Sequence, residues 1–127
     1  MRPGRLTGFF SFGITLLMKV SKASCPVDRL CGYVNDREAF VILQRLAENK
    51  TRRFSELLED VGKTSSRTLT KRLRELEACG MINRTAYREA PPRVEYSLTP
   101  SGRAFKKVLH AMANWSSAYL PKKPVLR

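Results

Sequence analysis

Acidic side chains are scarce in this chain. Its 127 residues include 11 Asp and Glu against 24 Lys and Arg, a formal net charge of +13. A field of that sign draws polyanions, nucleic acid first and acidic membrane surfaces second. Histidine is nearly missing: there is a single one, His110. No local nucleophile motif accompanies it, so hydrolytic catalysis has little to start from, and no enzyme activity and no catalytic residue is assigned. No glycine loop of the phosphate-cradling kind occurs. The three cysteines, Cys25, Cys31 and Cys79, are odd in number and widely spaced, which is not a disulfide framework. They form no C-x-x-C pair and lie far from His110, so neither a metal nor any other cofactor is expected. A reducing cytoplasm is the natural compartment for such a chain.

A membrane-spanning run is lacking too. The apolar stretch from Gly8 to Met18 covers eleven residues. That is half of the roughly 20 that a spanning helix needs. Behind Arg2 and Arg5 it resembles a signal-peptide core, but the V-S-K-A-S-C that follows is a poor cleavage site. Residues 1–17 therefore read as an extension, with Met18 as the working start. Mass spectrometry of the natural N-terminus decides this, and a mature chain beginning at Met1 overturns it. Without Arg2 and Arg5 the formal charge falls from +13 to +11, so the charge argument stands.

What is present is enough for one small domain. A hydrophobic fraction of 43% supports a core and argues against disorder. Pro26 suits the first position of a short helix whose stripe is Val27, Leu30, Cys31 and Val34. Asn35 or Asp36 caps a core helix carrying Ala39, Phe40, Ile42, Leu43 and Leu46. Thr51-Arg52-Arg53 reads as a brief strand. Ser55 is the expected cap of a short helix with Leu57, Leu58 and Val61, ended by Gly62. Cys31 and Cys79 fall on or beside apolar stripes and read as core.

The stretch about 65–79 carries most of the interest. Leu69, Leu73 and Leu76 share one stripe of a helix. Arg67, Lys71 and Arg74 lie opposite, with Thr70 at the edge. Thr64 or Ser65 caps it and Gly80 closes it. From Thr64 to Arg74 there are four basic residues and no acid. Such a helix can dock its leucines on a core and send its front into a DNA major groove. Taken alone, it is explained better as a wetted surface face. A helix, a glycine-bearing turn and this second helix make a helix-turn-helix, and the next segment shifts the balance further.

After Gly80 the period changes to two. Met81 to Tyr87 reads as a strand, Arg88-Glu89-Ala90-Pro91-Pro92 as a turn, and Arg93 to Leu98 as the returning strand. A hairpin about 81–98 directly after the second helix is the wing of a winged helix. Arg88 and Arg93 at its tip suit a phosphate or a narrow minor groove. Thr99-Pro100 then opens a last helix with Phe105, Val108, Leu109, Met112, Trp115 and Tyr119 on one side, ended by Pro121. That stripe is too broad for the remaining core, so it is expected to meet its copy in a homodimer or to fold back on its own domain. From Tyr96 onward there are six basic residues and no acid.

Tyr87 to Gly102, Y-R-E-A-P-P-R-V-E-Y-S-L-T-P-S-G, closely resembles the signature of the HxlR-type winged helix-turn-helix transcription regulators, a MarR-like group. R-F-S-E-L (Arg53 to Leu57), L-T-K-R-L-R-E-L-E (Leu69 to Glu77) and Cys25-Pro26-Val27 are similar to other parts of that family. The resemblance runs from about Cys25 to Tyr119. It implies a mainly α fold with a small β-hairpin, and N- and C-terminal helices forming a dimer interface. It also implies a homodimer on double-stranded DNA, with Ser65, Ser66, Arg67, Thr70 and Lys71 on the recognition helix and Arg88 and Arg93 on the wing. Several members sense oxidants or electrophiles through the cysteine of the Cys-Pro start, which makes Cys25 the sensor candidate. One departure stands out. Asn35-Asp36-Arg37-Glu38 replaces the usual Gly-Gly-Lys-Trp, which puts any borrowed effector chemistry in doubt.

The domain is thus expected over 25–120, with a basic tail over 121–127. The leading expectation is a sequence-specific DNA-binding transcription regulator acting as a homodimer on a pseudo-palindromic operator. Its DNA-contacting residues would be Ser65, Ser66, Arg67, Thr70, Lys71, Arg74, Arg88 and Arg93. The alternative is a redox or electrophile switch in which Cys25 gates DNA binding, since a thiol ahead of a helix and near basic residues gains reactivity. Against it stands Cys25 as a buried small hydrophobe. A secreted or membrane-associated basic protein ranks below both.

Overall fold

The computed structural model describes residues 25–122, so the 1–17 extension, the start at Met18 and most of the 121–127 tail lie outside the described residues. The chain divides into two units at Asn35 and Asp36. In the first, α1 (Pro26–Cys31) has Cys25 as its cap residue and Pro26 in its opening turn. The expected apolar stripe is realised only in Val34, which is buried just past the helix end. The helix has six residues and stops at Gly32, leaving Cys31 exposed and Val27 67% exposed. Cys31 is therefore not a core residue.

The second unit begins with α2 (Arg37–Glu48). Its cap is Asp36, whose carboxylate accepts from the Ala39 N–H at 3.0 Å. Ala39, Ile42, Leu43 and Leu46 are all buried, as a three-four spacing on one face requires. The two-residue strand β1 (Arg52–Arg53) follows, then α3 (Phe54–Val61). This helix starts one residue before the expected cap Ser55. The Glu56 carboxylate reaches back to accept from the Arg53 N–H at 2.8 Å, which satisfies the helix end at Arg53 instead. Arg52 grips Asp60 with two hydrogen bonds, 3.0 and 2.8 Å, and so ties β1 to α3.

A tight turn leads on, with Gly62 at φ +61° and Lys63 at φ +34°. Next come α4 (Ser66–Ala78), β2 (Ile82–Tyr87) and β3 (Arg93–Leu98). The sheet is antiparallel, in the order β1-β3-β2. Its register sets Ile82 opposite Leu98, Arg84 opposite Tyr96 and Tyr87 opposite Arg93. The turn between β2 and β3 contains a cis Ala90–Pro91 peptide. The core gathers Ile42, Leu43, Leu57, Leu69, Leu73, Leu76 and Ile82, with Tyr96, Leu98 and Phe105 at its sheet end.

The last helix is broken where a single rod was expected. α5 (Pro100–Ala104) and α6 (Lys106–Tyr119) meet at Phe105, whose N–H is shared between the Ser101 and Gly102 carbonyls at 3.2 and 3.1 Å. The break lets the Phe105 ring drop into the core. Thr99 caps α5 and also donates its hydroxyl to the Gly80 carbonyl at 2.5 Å. Gly102 is required here: an added Cβ would overlap the Met81 carbonyl oxygen. The wing base, the end of α4 and the start of the final helices thus meet at one point. Beyond it α6 leaves its apolar stripe uncovered, with Val108 40%, Met112 43%, Trp115 55% and Tyr119 73% exposed. The second unit is a winged helix: α2, α3 and α4, a three-stranded sheet, and the broken terminal pair α5 and α6.

Candidate nucleic-acid interface

The helix α4 is held by its back. Leu69, Leu73 and Leu76 are buried to within 2% of full cover. Arg72 adds a polar clamp at the edge of this stripe. It ion-pairs with Asp36 at the start of α2 and with Glu75 at 3.2 Å, and its side chain is only 21% exposed. Burial works against the Arg72 charge, but Asp36 and Glu75 outweigh it and hold its pKa above the ordinary value. One of the four basic residues of this stretch is therefore structural.

The other three face out. Arg67, Lys71 and Arg74 are exposed, and none has an acidic partner among the described residues. With Ser66 and Thr70 they line an open trough along the helix front. The helix N-terminus adds to the field, because its first turn holds no acid and its free N–H groups favour an anion. Ser65 is committed locally. Its hydroxyl accepts from the Thr68 N–H at 3.1 Å as the helix cap and donates to the Thr68 hydroxyl at 3.1 Å. Thr70 is half-buried at the border of front and back.

A second depression runs between α4 and the wing. Thr70, Arg74 and Glu77 line one side, Arg84, Val94 and Tyr96 the other. No sequence motif marks Arg84, yet it stands exposed on the sheet face that looks toward α4. The period-two pattern held the signal: Arg84 is two residues beyond buried Ile82 and so shares its face. At the wing tip Arg88 is exposed, while Arg93 is engaged within the hairpin. The predicted residues divide accordingly. Ser66, Arg67, Lys71 and Arg74 form one surface with half-buried Thr70 at its edge, Arg88 stands apart on the wing, and Ser65 and Arg93 are tied into the fold.

All three cysteines are free thiols; Cys25 and Cys79 are half-buried and Cys31 exposed. Cys79 donates to the Leu76 carbonyl at 3.4 Å, and burial pushes its thiol pKa up. The residues at 36 and 37 have a local use. Asp36 caps α2 and pairs with Arg72, and Arg37 donates to the Val61 carbonyl at 2.8 Å. Among the described residues there is no cluster of His, Cys, Asp or Glu able to hold a metal ion, and no helix long and apolar enough to cross a membrane.

Comparison with known proteins agrees with this geometry. The HxlR-like helix-turn-helix family matches residues 33–124. An uncharacterized HTH-type transcriptional regulator of Synechocystis, sll1512, is 42% identical over 96 residues, covering 76% of this chain and 70% of the relative. YtfH of Escherichia coli, an uncharacterized HTH-type transcriptional regulator, is 40% identical over 98 residues, 77% of each chain. Among solved structures, the putative regulator ytfH from Salmonella typhimurium superposes with a TM-score of 0.69 at 36% identity, over 81% of this chain and 91% of that one. The redox regulator HypR in its reduced form gives 0.69 at 31% identity, over 74% of this chain and 92% of that one. A helix-turn-helix with an outward basic face, followed by a two-stranded wing, thus coincides with a match over most of the chain: this protein belongs to the HxlR-like helix-turn-helix family.

Proposed function

We propose that the protein is a sequence-specific DNA-binding transcription regulator that acts as a homodimer on double-stranded DNA in the cytoplasm. One observation carries the reading. α4 buries its leucines completely while Arg67, Lys71 and Arg74 stand exposed and unpaired by any described acid on the opposite side. That side enters the major groove, with Arg67 and Lys71 on base edges and Arg74, Arg84 and Arg88 on phosphates. The uncovered stripe of α6 supports the pairing of two copies, which would set two such helices about 34 Å apart on a pseudo-palindrome. Phosphate contacts supply most of the affinity, so binding weakens steeply with salt.

Selection of bound duplexes from a random pool, followed by gel shift, tests this. A symmetric site should emerge, and Arg67→Ala should lose about 1–3 kcal/mol on it. Failure to enrich any sequence, or an Arg67→Ala variant that binds like wild type, refutes the assignment.

A second reading has its own support. Cys25 is a half-buried free thiol next to the start of α1, and the similar HypR is a redox regulator solved in reduced and oxidised forms. In this reading oxidation of Cys25 gates DNA binding. Diamide should then change the affinity of wild type and leave Cys25→Ser unaffected. Equal responses of the two chains dismiss it.

A further inference from the structure

The wing tip pairs one cation with two carboxylates. The Arg93 guanidinium lies 2.9 Å from Glu89 and 3.2 Å from Glu95. Its carbon sits 3.9 Å over the centre of the Tyr87 ring, on the residue directly opposite in the ladder. The side chain is 25% exposed, that of Glu95 16% and that of Glu89 47%, so Glu95 is the more fully covered of the two. Arg88, one residue from Glu89, has no such partner among the described residues and is exposed. Two neighbouring arginines of one hairpin are thus in different states.

We propose that Arg93 is a positioning residue whose charge is spent inside the wing, where it masks Glu89 and Glu95 from the duplex and leaves the phosphate contact at the tip to Arg88. This rests on the reading of the protein as a winged-helix DNA binder. The physical case is electrostatic. A hairpin that approaches a polyanion with two bare carboxylates is repelled. A guanidinium fork with both carboxylates in reach, and a ring beneath it, cancels one of the two negative charges and so lowers that repulsion without relying on the nucleic acid. The order of residues follows: Glu95 lies two positions after Arg93 on the same strand face, and Glu89 returns from the turn to close the other side.

The experiment uses the full chain, a 30-base-pair duplex of arbitrary sequence and fluorescence anisotropy over a series of KCl concentrations, with far-UV circular dichroism on every variant. Glu89→Gln/Glu95→Gln frees Arg93 and should bind at least about threefold tighter, with a salt slope steeper by about 0.9, the contribution of one added phosphate contact. Arg93→Gln should weaken binding severalfold. Adding both glutamine substitutions to Arg93→Gln should restore wild-type affinity or better. Arg88→Gln should weaken binding and flatten the slope by about 0.9, as a direct contact does. An unchanged double variant overturns the proposal, and so does a triple variant as weak as Arg93→Gln, which would place Arg93 on a phosphate. The double variant keeps the test decisive if Arg93→Gln unfolds. Wild-type protein that does not bind duplex at all refutes the proposed function itself, an outcome distinct from any of these.

Discussion

Asp36 performs two tasks with one carboxylate, and substitutions separate them. It caps α2 through the Ala39 N–H and pairs with Arg72 of α4. Asp36→Asn keeps an oxygen for the cap and removes the charge; Asp36→Ala removes both. Loss of a cap costs about 1 kcal/mol. Exposed ion pairs are worth about 0–1 kcal/mol, whereas breaking a buried one costs about 3–5 kcal/mol. The Asp36 and Arg72 side chains are 25% and 21% exposed, between those limits. Glu75 still partners Arg72 after the substitution, which limits the loss. About 1–2 kcal/mol is therefore expected for Asp36→Asn and about 2–3 kcal/mol for Asp36→Ala. For a domain of this size that is a fall in Tm of roughly 5–10 °C and 10–20 °C respectively. Urea unfolding followed by circular dichroism, at fixed protein concentration, measures both. A double-mutant cycle with Arg72→Met should return a coupling of about 1–2 kcal/mol. A coupling below about 0.3 kcal/mol, or equal losses for Asn and Ala, refutes the division of labour. Below the midpoint both variants should still bind DNA, because the pair lies behind the basic face rather than on it.

Other outcomes follow from the same geometry. Gly102→Ala should destabilise by about 3 kcal/mol, since its methyl overlaps the Met81 carbonyl and only backbone movement relieves it; thermal denaturation checks this. Met112→Glu, on the uncovered stripe of α6, should shift the protein to monomer in sedimentation velocity and weaken operator binding, with the monomer's secondary structure intact. Burial raises the Cys79 pKa, so its thiolate is disfavoured and Cys79 should alkylate more slowly than exposed Cys31 at pH 8 by mass spectrometry. The sign for stability is the same: Cys79 favours the folded state while protonated, and this is lost as pH rises past its unfolded value toward its higher folded one.

Much of the fold was legible because its signals are local. Gly62 and Gly80 end helices where positive φ is needed, and both have it, +61° and +82°. The alternation from Arg93 to Leu98 gave β3 with the observed bounds. The misses arise where a distant partner decides. The helical period already sets Arg72 apart from Arg67, Lys71 and Arg74, but its partner Asp36 lies far back in the chain and is not legible locally. Arg93 reads as a free wing arginine until the register sets it over Tyr87 and between Glu89 and Glu95. Arg84 was passed over because its role depends on which sheet face looks toward α4. Phe105 sits at a helical spacing that concealed the break it causes, and only the core's shape called for it. Cys31 lay on an apolar stripe of a helix too short to complete one.

The junction at Thr99 has a mechanical consequence. One hydroxyl accepts from Gly102 and donates to Gly80, while the Thr99 N–H reaches the Met81 carbonyl at 3.0 Å. These bonds pin the ribbon to α5, and beyond the break the buried Phe105 ring anchors the start of α6 to the same core. If two copies pair along that stripe, as proposed, a rotation of one on the other by a few degrees would carry both ribbons and both copies of α4 with it. A signal that altered how the copies seat would then be felt as a change in the gap between half-sites, with no loop needing to melt on the way.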